Sequence, residues 1–241
     1  MAGTRLHAPQ AQAVTFVELF FDLVFVFAVT EVTALTAHHL DPAGVARSGV
    51  LFWLIWWAWT QFTWTLSPAD TRHPRVQALT LVASGVAFIM AASVTGAFGD
   101  QALWFAIPYV IIRSIGIGLQ VRIDQERAGE GVGIAMAWVY LSLVGLVVVL
   151  VGAVAPAGAR PWIWLGAIAV DLAAAGASSR NAVWDLSPAH FSERHGLFVI
   201  IALGESLIVA GSAVSDEART ADLVLAAGAA LVVACLLWWT Y

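Results

Sequence analysis

Three acids stand inside an apolar run long enough to cross a bilayer: "VTFVELFFDLVFVFAVTEV", residues 14–32, contains Glu18, Asp22 and Glu31. A stretch of about 20 apolar residues reads as a transmembrane helix. Within hydrocarbon the backbone must satisfy its own polar groups, so a run of this kind is a helix or nothing. Apolar runs recur at 46–65, 76–98, 102–121, 132–154, 161–177, 195–214 and 221–241. Together the eight runs predict an all-α, polytopic transmembrane helical bundle of about eight spans, with residues 1–241 as a single integral membrane domain.

Composition excludes the alternatives. The chain is 61% hydrophobic and only 11% charged, against roughly 25% charged in soluble domains. All eleven basic residues are arginines, scattered along the chain, so no basic patch points to nucleic acid. The lone Cys235 excludes an internal disulfide and a cysteine-based metal site. The first run is too long and too acidic for a cleaved signal peptide and lacks a bracketing basic region and cleavage site, so it is read as a retained helix. Arg5, Arg72, Arg75, Arg122, Arg127, Arg180 and Arg194 fall on the side of the N-terminus, whereas Arg47, Arg160 and Arg219 fall on the other. That excess places the N-terminus in the cytoplasm of a bacterial inner (plasma) membrane.

The connections carry ordinary helix punctuation. "LSPAD" at 66–70 and "LSPAH" at 186–190 each offer Ser as an N-cap and Pro as a first helical residue. "RIDQERAGEGVG", 122–133, reads as a solvated loop. The tryptophan-rich run "LFWLIWWAWTQFTW", 51–64, reads as packing and interfacial anchoring. An internal repeat is also expected. "FVELFFDLVFVFAVTEV" from 16 and "FSERHGLFVIIALGESL" from 191 both begin Phe-x-Glu and close on a second acid, Glu31 and Glu205. Each is followed by a helix with a tryptophan pair, Trp56–Trp57 and Trp238–Trp239. An offset of six spans keeps orientation, the pattern of parallel repeats. The first six-span unit covers 14–177, and 191–241 supplies the first two spans of a second, incomplete unit, the pattern of a fragment.

The acids divide by position. "TFVE", 15–18, fits a capping box in which Glu18 reaches back to the Thr15 amide. Glu31 lies near the other interface and can reach water. Asp22 sits roughly 12 Å into its run, too deep to reach water. Arg113 in "YVIIRSIGIG", Asp171 in "AIAVDLAAAG" and Glu205 in "IALGESLIV" each stand about 15 Å from an end of their runs. The expectation is one polar layer of Asp22, Arg113, Asp171 and Glu205, since an ionised group at that depth costs at least about 2.5–3.5 kcal/mol without partners. Three acids and one arginine leave negative charge for protons, a bound cation or a charged substrate to balance. "HFSERH" sets His190, Glu193 and His195 close together, but their spacing is not that of a zinc motif, and no cofactor is expected.

"VTFVELFFDLVFVFAVTEVT" and "ERHGLFVIIALGESLI" resemble the bacterial low-temperature-requirement A (LtrA) family, whose first helix carries an ELFFDLVFVxA-type motif and a later one an ERxGLFxIIxLGES-type motif. "WWAWTQFTW", "YVIIR" and "PADTRHPR" extend the resemblance over the whole chain. It falls on Glu18, Leu19, Phe20, Phe21, Asp22, Glu193, Arg194, Gly204 and Glu205, and implies a multi-pass membrane protein. It carries no settled activity. "FFDLVFVFA" is also similar to part of the first-helix pattern of endosomal and lysosomal potassium and proton channels, although Phe21 stands where their serine would be and the second copy lacks the Asp. The reading is proton- or cation-linked transport or permeation through buried carboxylates and arginine. An intramembrane enzyme and a non-catalytic membrane scaffold are its rivals. The expected partners are the lipid bilayer, a proton or monovalent cation, and a second copy in a homo-oligomer.

Overall fold

The computed structural model describes residues 6–7, 13–127, 136–179, 187–216 and 220–240. These form eight helices: α1 (Phe16–His38), α2 (Pro42–Leu66), α3 (Pro74–Ala91), α4 (Ala102–Arg127), α5 (Met136–Val154), α6 (Arg160–Ser179), α7 (Pro188–Asp216) and α8 (Ala221–Thr240). Six of them, α1, α3, α4, α5, α7 and α8, are long and apolar enough to cross a membrane. The other two match them in length; α2 carries five tryptophans and α6 begins on Arg160 and Pro161.

Local chemistry sets the helix starts. At α1 the Glu18 carboxylate accepts from the Thr15 backbone N–H at 2.9 Å and from its hydroxyl at 2.8 Å. At α2 Asp41 accepts from the N–H groups of Gly44 and Ala43, which holds its carboxyl below the usual range, and Pro42 takes the first helical position. Pro188 opens α7 directly after Ser187. The first Ser-Pro pair behaves differently from expectation. Ser67 ends α2 instead of opening α3, which starts seven residues later at Pro74 with His73 as its cap. The intervening turn is held from outside, by an Asp70 N–H donating to the Leu6 carbonyl and a bridge between His7 and Ala69.

Helix α1 packs on α2, α3 and α7; α4 packs on α2, α3 and α5; α6 packs on α5 and α2; α8 contacts α7. One end of the bundle joins Leu6, the α2–α3 turn, the close of α4 and the start of α7, through bonds from the Leu6 N–H to Glu126 and from the Ser187 N–H to Ser67 Oγ. At the opposite end Arg160 donates to the carbonyls of Gly152, Ala97, Gly99, Ala153 and Ala155. A guanidinium has five N–H groups, and this one spends them tying the end of α5 to the α3–α4 connection.

Polarity is arranged inside out. Phe88, Val147, Leu225 and Trp239 are exposed, whereas Glu18, Asp22, Arg113 and Arg194 are fully buried. In water that arrangement would leave a large apolar surface solvated. In a bilayer it is the stable one, since apolar side chains meet lipid and charged ones meet each other.

Candidate functional site

The ionisable groups in the bundle gather in two places. The first lies between α1 and α7. Glu18 and Asp22 are one turn apart on α1, and His190 and Arg194 are one turn apart on α7. Pairs four residues apart share a helix face, so two rungs form: His190 Nε2 stands 3.0 Å from Glu18 Oε1, and Arg194 Nη2 donates to Asp22 Oδ1. Arg194 Nη1 is also 3.7 Å from Glu18 Oε1, so one guanidinium faces both carboxylates. Asp22 Oδ1 takes a second bond, at 2.7 Å, from the indole N–H of Trp59 on α2. The arginine lies over the rings of Trp59 and Phe21 at 5.9 and 6.0 Å, within cation–π range. Glu18, Asp22, Arg194 and Trp59 are at 0% exposure and His190 is at 1%.

The second group joins α4 to α6. Arg113 makes a bidentate pair with Asp171, Nη1 to Oδ2 at 3.0 Å and Nη2 to Oδ1 at 2.9 Å, and also donates to the Tyr109 hydroxyl at 3.0 Å. The two residues are level because each stands eleven positions into a helix starting from the same end of the bundle. Along α4, Tyr109, Arg113, Gly116, Gln120 and Asp124 follow spacings of three and four and are all buried, so a polar stripe faces the interior. Gln120 donates to Asp124 at 2.9 Å, and the Gly116 carbonyl accepts from Thr65 on α2.

Of the four residues expected in one layer, Arg113 and Asp171 come together, Asp22 takes a different arginine, and Glu205 stands apart. No hydrogen bond or ion pair among the described residues joins the two groups. The reason is where α7 begins. Counted from an apolar run opening at 195, Glu205 is mid-membrane; counted from Pro188, Arg194 is about 9 Å in and Glu205 about 26 Å in. Asp22 is likewise about 9 Å into α1, so Arg194 is its level partner. Glu205 is half-buried, without a hydrogen bond or ion pair to the described residues, and Glu31 is half-buried near the same end. Glu193 points outward and is exposed. Glu18 does cap α1 as expected, but with one oxygen; the other belongs to the buried cluster.

Sequence reading missed Arg194, His190, Trp59 and Tyr109 as members of these groups. The signal for two of them was present. Ser187–Pro188 marks the helix start, and counting depth from it instead of from 195 turns "HFSERH" from an exposed helix start into a turn with His190 and Arg194 buried in the bundle. His195 packs against Phe191 and Trp59 at ring separations of 4.2 and 4.8 Å. No group of three histidine, cysteine or acidic side chains able to hold a metal occurs among the described residues.

The family described as bacterial low temperature requirement A protein (LtrA) matches residues 13–241. An uncharacterized protein of Rhizobium meliloti (strain 1021) is 28% identical over 237 residues, covering 94% of this chain and 58% of that protein. The chain therefore spans less than two thirds of that relative's length. No solved structure matches it.

Proposed function

The chain belongs to the bacterial low temperature requirement A family, and we propose that its activity is proton- or cation-linked transport across the bacterial inner membrane, with the N-terminus in the cytoplasm. The observation that carries this reading is a charge imbalance. Between α1 and α7 two carboxylates, Glu18 and Asp22, share one arginine, Arg194, where all three are fully buried. The Arg113–Asp171 pair, by contrast, is balanced and doubly bonded. Buried charge without a counter-charge is expensive in low dielectric. A protein that keeps such an excess inside the membrane has a place where a proton or a small cation binds. Glu18 and Asp22 are that place, and Arg113–Asp171 is the clamp that keeps α4 and α6 in register.

Proteoliposomes holding the full-length protein test this directly. A proton or potassium gradient should dissipate faster than in empty vesicles, and Asp22→Asn and Glu18→Gln should each remove the excess rate while the protein still inserts and keeps its helical circular dichroism. Folded wild-type protein that carries neither ion would falsify the transport reading.

A further inference from the structure

Resting on that reading, we propose that the ion bound between α1 and α7 is a proton and that His190 is the residue that takes it. Three observations separate a proton from a metal cation. A cation needs a cage of several oxygens, and here only two carboxylate oxygens, Glu18 Oε1 and Asp22 Oδ2, accept no hydrogen bond. Glu18 Oε2 accepts from Thr15 twice, and Asp22 Oδ1 accepts from Trp59 and Arg194. Asp22 Oδ2 is the one carboxylate oxygen with neither a hydrogen bond nor a charged partner in the cluster. Second, the imidazole already stands at ion-pair distance, 3.0 Å, from Glu18 Oε1, so a proton on it places a positive charge directly against that carboxylate. Third, the arithmetic closes. Two carboxylates and one guanidinium sum to minus one, and a protonated imidazole brings the cluster to zero.

Among the described residues no cationic group other than His190 and Arg194 stands within ion-pair distance of Glu18 or Asp22; His195, also on α7, packs on the Trp59 ring at 4.8 Å instead. From α1 the groups facing His190 are Glu18 and Asp22, and from its own helix Arg194. The one ionisable residue on α2 is Arg47, at the far end of the bundle, and the nearer α2 side chain in the cluster is the neutral indole of Trp59. On α8 Asp222 also lies at the far end. Protonation therefore decides how Arg194 is shared. With His190 charged, it holds Glu18 while Arg194 serves Asp22 alone; with His190 neutral, Arg194 must answer both carboxylates. Proton binding thus acts on the contact between α1 and α7, and Glu18 is the positioning residue for the proton.

The test is nitrogen NMR of the full-length protein labelled in histidine and held in lipid nanodiscs, titrated from pH 5 to 9, the range in which imidazole ordinarily changes charge. A signal missing from His190→Gln identifies the residue. The expected result is passage of that signal from the protonated to the neutral pattern as pH rises, with the transition moved to lower pH in Glu18→Gln, because loss of the facing negative charge disfavours the imidazolium. His190→Arg, which carries a permanent positive charge beside Glu18, should fold. A His190 that holds one protonation state throughout overturns the proposal, as does a transition unaffected by Glu18→Gln. So does a signal that responds to potassium or sodium chloride at fixed pH instead. Because the readout is proton binding, it stands even if the proteoliposomes carry no flux, which would overturn only the transport reading.

Discussion

Arg113 and Asp171 show how a charged side chain is kept in the membrane interior: both are buried, and each satisfies the other through two bonds of about ordinary length. The energy of such a pair is chiefly the penalty for breaking it. Removing one partner strands the other and costs about 3–5 kcal/mol, whereas replacing both with apolar groups of similar volume is near neutral. Arg113→Met and Asp171→Leu should therefore each destabilise the protein by that amount in reversible detergent unfolding, and the double variant should regain most of it. The same cycle on Asp22 and Arg194 should recover less, because Arg194 also faces Glu18 at 3.7 Å and the double variant leaves that buried carboxylate with His190 alone. Equal recovery in the two cycles would remove the distinction drawn between a clamp and a site. The sequence marked three of these residues by depth alone. It could not mark Trp59 or Tyr109, whose roles as hydrogen-bond partners depend on which neighbour their helix faces.

Helix by helix, spans were legible from apolar runs, and partners were not. A window of hydropathy opens this span at 195, after most of "HFSERH", since it counts the cost of burying Glu, Arg and His but not the partners that offset it. In the bundle the rungs 18–190 and 22–194 share one offset, so α1 and α7 run in the same direction. Small residues set how closely helices approach. A Cβ on Gly152 would lie 2.5 Å from the ring of Trp164, which is fully buried and bonded through its N–H to the Val149 carbonyl at 3.0 Å. That ring has nowhere to move, so Gly152→Ala should cost about 1–3 kcal/mol through forced separation of α5 and α6. Gly118, on the outer face of α4, meets nothing within 4 Å. Gly118→Ala should leave stability unchanged or raise it by up to about 1 kcal/mol. Thermal unfolding of the two variants in one detergent checks the pair, and similar losses in both would mean that the α5–α6 contact is not steric.

At the scale of the whole molecule, orientation rests on arginines, and the structure changes which of them count. The asymmetry rule concerns arginines in the connections beside the membrane, which stay on the side where they are made. Arg194 is buried against Asp22, and Arg160 is spent on five carbonyls, so both are held by the fold and neither reports on the side of the membrane. Removing them leaves Arg5, Arg72, Arg75, Arg122, Arg127 and Arg180 against Arg47 and Arg219. The bias toward a cytoplasmic N-terminus is therefore stronger, as a ratio, after the structural arginines are set aside. The exposed residues Arg72 in the α2–α3 turn and Gly158 in the α5–α6 turn lie at opposite ends of the bundle and make the prediction measurable. In a Cys235→Ser background, a cysteine at 158 should react with a membrane-impermeant maleimide in intact cells. One at 72 should react only after the membrane is opened. The reverse pattern would invert the molecule and put the Glu18–His190 cluster about 9 Å or less from the outer surface instead. The proton proposed for His190 would then be drawn from outside the cell, so the labelling result fixes which compartment's pH the site senses.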